Sequence, residues 1–148
     1  MPTLKEQILT DAVRPSLVQD CCQLLDSEVA RKRGFTGLAI KAAYKTIKTI
    51  KRGFVSGVVD ALLDEWVLEL EPIYTDYLAG HSSQAFRSYL DSRRGEVAER
   101  LLSVTDKRAN TTGHKTAAKA YRKLRPNGKA NVEEALPRLG DVVSKYLN

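Results

Sequence analysis

Histidine and cysteine are almost missing from this chain of 148 residues, at two apiece. His81 and His114 stand far apart, so no zinc-ligand spacing is present and no metal is expected. The two thiols, Cys21 and Cys22, are neighbours, and adjacent residues on a helix do not reach disulfide geometry without heavy strain. Reduced thiols acting as small hydrophobes follow. Long apolar runs are absent too. The most hydrophobic stretch, Phe54 to Leu70, is broken by Asp60, Asp64, Glu65 and Glu69, short of the ~18 apolar residues that a membrane span requires. No apolar signal region follows Met1-Pro2-Thr3-Leu4-Lys5-Glu6, which points to the cytoplasm. Period-two alternation is confined to Leu68–Glu71, and that leaves little for strands.

Acidic residues are missing from two particular stretches. Residues 31 to 52 carry Arg31, Lys32, Arg33, Lys41, Lys45, Lys48, Lys51 and Arg52 with no Asp or Glu, and residues 107 to 129 carry eight further cations on the same terms. Between them, residues 53 to 106 hold ten Asp or Glu against four Arg. The formal charge of +6 therefore conceals a patterned field. Such a field selects partners, or it holds the protein's own helices together.

What is abundant is helical periodicity, and the expected class is all-α: a single-domain bundle of about six or seven helices, some short or kinked. Thr3 and Glu6 fit a capping box for a first helix ending near Leu9. Pro15 suits the first turn of a second helix, closed by Gly34. A third, capped by Thr36, is expected to run to Arg52 with Ile40, Ala43, Ile47 and Ile50 inward. A fourth, from about Ser56, keeps the stripe Val59, Leu62, Trp66, Leu70, Ile73 and Tyr77 straight through Pro72, as one kinked helix does. Gly80 to Ser83 reads as a turn, and Phe86 to Ala109 as a helix or helix pair jointed at Gly95. A loop over 110 to 114, a short basic helix to Arg125, a turn at Pro126-Asn127-Gly128 and a final amphipathic helix begun or bent by Pro137 complete the chain.

Chemistry-bearing candidates are few. Lys32-Arg33-Gly34-Phe35 recurs as Lys51-Arg52-Gly53-Phe54. It reads as a helix ending, with cations facing the dipole, a left-handed glycine and a phenylalanine packing back, or as a phosphate-binding loop. Lys41, Lys45, Lys48 and Arg52 fall at i, i+4, i+7 and i+11 on one helical stripe, and Lys115, Lys119 and Arg122 repeat the first three steps. The hexamer Ala43-Tyr44-Lys45-Thr46-Ile47-Lys48 resembles Ala120-Tyr121-Arg122-Lys123-Leu124-Arg125. Each cationic row thus has a tyrosine beside it, a composition suited to phosphate contacts. Trp66, Tyr74, Tyr77 and Phe86, with Tyr89, are candidates for an aromatic cluster, as core or as an apolar-ligand pocket. Asp60, Asp64 and Glu65 share one helical turn, and His81 stands beside Ser82 and Ser83, but neither group carries a nucleophile elbow or a defined acid–base pair. No catalytic residue, cofactor or enzymatic activity is expected.

Met1 to Glu6, Gly37-Leu38-Ala39-Ile40-Lys41-Ala42 with Tyr44-Lys45, Leu62-Leu63-Asp64-Glu65, Leu70-Glu71-Pro72 with Tyr74, and Lys123-Leu124-Arg125-Pro126 together resemble a family of small bacterial helical proteins of unknown function. The resemblance implies one domain and brings no activity with it. The residues themselves point to a non-enzymatic protein that engages a polyanion through its two cationic helices, nucleic acid first and an acidic lipid surface second. The rival readings are an interaction or homo-oligomerisation module whose basic helices satisfy its own acidic segment, and a pocket protein for an apolar ligand.

Overall fold

The computed structural model describes residues 2–148. Among them are eight α-helices and no strand: α1 (Leu4–Ile8), α2 (Arg14–Ala30), α3 (Gly34–Lys48), α4 (Phe54–Gly80), α5 (Phe86–Ser92), α6 (Arg94–Thr111), α7 (Lys115–Leu124) and α8 (Gly128–Ser144), with a 3₁₀ turn over Arg125–Asn127. The all-α class is as expected, and α1 and α5 are the short members.

The capping box forms as its residues require: Glu6 N donates to Thr3 Oγ1 at 3.0 Å, and Thr3 N to Glu6 Oε1 at 3.3 Å. A second anion caps the same turn from afar. Glu71 of α4 accepts from the backbone N–H groups of Leu4 and Lys5 at 2.9 and 3.1 Å, satisfying donors that a helix start leaves open. Gln7 then donates to the Tyr74 hydroxyl at 3.0 Å and accepts from Asn148 N at 2.9 Å. Both chain ends are tied to the middle of α4 by this network.

α4 is one unbroken helix through Pro72. Pro72 is exposed, as is Leu68 at 70%, so the carbonyl of Leu68 that loses its partner lies on the solvent side, where the loss is tolerable. Several boundaries differ from the periodicity reading. α2 stops at Ala30, and α3 starts at Gly34 rather than after Thr36. α3 stops at Lys48, leaving Ile50 and Arg52 outside it; Thr46 and Thr49 turn their hydroxyls onto the carbonyls of Ala42 and Thr46, the back-bonding that weakens a helix end. The joint between α5 and α6 falls at Arg93, not Gly95. The loop before α7 is only 112–114, and α8 starts at Gly128, so that Pro137 sits inside it.

Packing divides into two zones. The main core draws Leu4, Ile8, Leu17, Ile73, Leu90, Val97 and Leu136, all virtually solvent-free, from α1, α2, α4, α5, α6 and α8. α5 and α8 meet closely at Gly140, where a Cβ would stand 2.5 Å from Arg87 Cα, so only glycine permits that approach. α3 and α7 lie outside this core. They pack chiefly on one another, and touch the bundle along α2, α4 and α6, burying the small side chains Ala43, Ala118 and Ala120 with Ile40.

Candidate polyanion-binding face

The two similar hexamers turn out to be the same device. On α3, the Tyr44 hydroxyl donates to Asp26 Oδ1 of α2 at 2.7 Å, and Lys48 Nζ reaches the same oxygen at 3.0 Å. On α7, the Tyr121 hydroxyl donates to Asp106 Oδ1 of α6 at 2.6 Å, and Arg125 Nε meets the same atom at 2.9 Å. Tyrosine and cation are four residues apart in both, hence on one helix face. Ala43 and Ala120, one residue before each tyrosine, are buried. These tyrosines therefore anchor α3 and α7 to the bundle, and do not stand free beside a ligand.

The electrostatics follow from those contacts. The Tyr44 hydrogen bond chiefly, with Lys48, holds the Asp26 carboxyl below its ordinary range against the cost of burial. At Asp106 burial opposes the charge, but Arg125 and Tyr121 outweigh it and its pKa also falls. Burial, reinforced by Asp106, pushes the Tyr121 hydroxyl up to about 12.

Anchoring takes only one cation from each hexamer. Lys41, Lys45, Lys115, Lys119 and Arg122 are exposed and, among the described residues, form no ion pair. Lys48 is spent on Asp26 at 3.0 Å. Arg52 is exposed but lies past the end of α3, so the fourth member of the first row is off its stripe. At 100° per residue the α7 row stands roughly 130–170° from that helix's buried face, and the α3 row roughly 80–140° from its own. Lys115 lines a cleft of about 540 Å³ with Thr46, Thr49, Ile50, Gly113, His114 and Thr116. That brings the start of the second row to the last turn of α3, where Lys45 stands.

The Lys-Arg-Gly-Phe repeats resolve differently from one another. Gly34 and Gly53 are both left-handed, with φ of 72° and 73°, but Gly34 opens α3 and Gly53 is the N-cap of α4, so neither caps the helix before it. Phe54 is buried and meets the His114 ring edge-on at 5.2 Å. Phe35 is 93% exposed, contrary to the expectation that it packs back. Lys32 turns inward to Glu134 at 3.3 Å without an aligned hydrogen bond. Arg31, Arg33, Lys107, Arg108 and Lys123 join the exposed cations without a carboxylate; their acid-free surroundings were the available signal.

The remaining candidates become structural. Tyr74, Tyr77, Phe86 and Tyr89 form a chain of ring contacts at 5.0–5.9 Å within the main core. Trp66 takes part in none of these ring contacts; its indole N–H donates to the Leu101 carbonyl at 3.2 Å. Asp60 and Asp64 are gripped by Arg14 at 2.8 and 3.1 Å, and the Arg14 hydrogen bonds lower the Asp64 pKa. His81 stacks on Tyr89 at 4.9 Å. Cys21 is half-buried and free, its pKa pushed up to about 12 by burial. Among the described residues, no helix is long and apolar enough to cross a membrane.

No curated protein and no solved structure matches the chain. A family model does match, over residues 4–147, which takes in every helix described above, and the chain belongs to that family, one of unknown function (DUF6918).

Proposed function

We propose that this is a non-enzymatic cytoplasmic protein that binds a phosphate-bearing polyanion across α3 and α7. The observation that carries the reading is that Lys41, Lys45, Lys115, Lys119 and Arg122 are exposed and unpaired while most acids of residues 53 to 106 are engaged elsewhere. Arg14 takes Asp60 and Asp64, Arg93 takes Asp76 and Glu96, and Arg100 takes Glu69. The acidic segment is therefore met chiefly by cations outside the two rows. Internal pairing, the rival account, reaches only Lys48, Arg125, Lys129 and inward-turned Lys32 of the basic stretches among the described residues. Cations left over on a firmly anchored helix pair release counterions when they meet phosphates, so binding is salt-sensitive and largely independent of sequence. Titration of labelled duplex and single-stranded DNA, RNA and anionic vesicles, at low and physiological salt, tests it. Affinity that falls steeply with salt is expected; no binding even at low salt would remove the reading.

A further inference from the structure

The α2–α3 elbow joins two things that rarely share one surface. Phe35 is 93% exposed and Leu38 64%, one helical turn apart in the first turns of α3, and they line a shallow depression of about 410 Å³ together with Arg33, Gly34 and Lys41. Arg33 and Lys41 border this apolar pair, Arg31 precedes it at the end of α2 and Lys45 follows one turn beyond Lys41 on α3, and all four are exposed and without an ion pair among the described residues. No Asp or Glu occurs between residues 31 and 52; Glu28, the acid preceding them along the chain, is taken by Arg138, Asp26 by Lys48, and Glu134 by Lys32.

We infer that this elbow docks on an anionic lipid bilayer, Phe35 and Leu38 entering the headgroup boundary while Arg31, Arg33, Lys41 and Lys45 meet lipid phosphates. The inference rests on the polyanion reading and names its source. A bilayer offers negative charge in a plane with hydrocarbon directly beneath, which is the order in which this elbow presents cations and apolar tips. Nucleic acid matches the cations and gives a Phe ring a base to stack on, but it has no place for Leu38. A second copy of the chain is disfavoured by charge, because a two-fold contact through this patch sets Arg33 and Lys41 against their own equivalents. The repeated motif sharpens the point. Phe54, in the same local sequence, is buried against His114, so the exposure of Phe35 reflects its site and not its motif.

The test is flotation with vesicles of equal parts phosphatidylglycerol and phosphatidylcholine, against phosphatidylcholine alone, for the parent, the Phe35→Ala, Leu38→Ala double variant and Phe35→Trp. Labelled RNA is titrated in parallel. Binding to the anionic vesicles only, weakened about 10- to 100-fold by the double variant with its melting temperature unchanged, and a blue-shifted emission of Phe35→Trp relative to the parent on vesicles, are the results expected. Vesicle binding that the double variant retains in full overturns the insertion and leaves the polyanion reading standing. RNA binding without vesicle binding does the same. Failure to bind either at low salt removes both.

Discussion

The bundle and the α3–α7 pair treat charge in opposite ways. In the bundle, carboxylates are met repeatedly by arginine: Arg14 bridges Asp60 and Asp64, Arg93 spans Asp76 and Glu96, and Arg138 grips buried Glu28. Its core is built from large side chains such as Ile73, Tyr89 and Leu136. The pair instead packs on alanines, is pinned by one tyrosine–aspartate contact per helix, and leaves Lys41, Lys45, Lys115 and Lys119 without an ion pair among the described residues, Lys48 alone of the two rows meeting an aspartate. Cations that serve the fold are thus separable from cations that do not. Stability is concentrated in one region and uncommitted charge in the other.

Substitutions in the bundle break the contrast most severely. Leu136→Ala removes a fully buried side chain and is expected to cost about 2–5 kcal/mol in chemical denaturation; a cost below that of an Ile40→Ala change in the pair would reverse the ranking. Glu28→Gln comes next, at about 2–3 kcal/mol, below a wholly buried pair because Arg138 retains some solvent contact. Burial works against the Glu28 charge, but Arg138 prevails and its folded pKa lies below the usual glutamate value. The pair therefore stabilises fully above the unfolded pKa of about 4.3, and loses that contribution as pH falls through the lowered folded value. Acid unfolding of Glu28→Gln should lack this component.

Tyr44→Phe and Tyr121→Phe probe the matched anchors. Each should cost about 1–2 kcal/mol, and the two losses should be close, since each hydroxyl serves one aspartate, with Tyr121 the larger by its further contact to the Thr105 hydroxyl at 3.0 Å. A larger loss at Tyr44 than at Tyr121 would show that the hexamers only look equivalent. The smallest effect is expected at Lys45, where reversal to Glu meets no partner and should change stability by less than about 0.5 kcal/mol. Lys48→Glu faces Asp26 and should cost about 1 kcal/mol, so thermal melts of the two variants separate anchoring from free charge.

Helical periodicity revealed the class and most elements, because each helix buries one stripe and Val59, Leu62, Leu70 and Ile73 announce theirs. Boundaries were less legible. The end of α3 depends on threonine hydroxyls choosing intrahelical carbonyls, and α8 tolerates an internal proline; neither follows from spacing. The cationic rows were visible as acid-free stretches, yet the pairing of Lys48 within the first row was not, since Asp26 is 22 residues from Lys48. Arg14, the main partner of the α4 acids, was invisible for the same reason. The exposure of Phe35 was hidden because its motif is identical to that around buried Phe54.

The decisive comparison sets Lys45→Gln, Lys119→Gln against Lys5→Gln, Arg94→Gln, two doubles that remove equal charge from exposed, unpaired sites in the pair and in the bundle. Titrating both with labelled RNA and with phosphatidylglycerol vesicles at low salt should show the first losing affinity and the second keeping nearly all of it. Equal losses would mean that only net charge matters, and would contradict a binding face on α3 and α7.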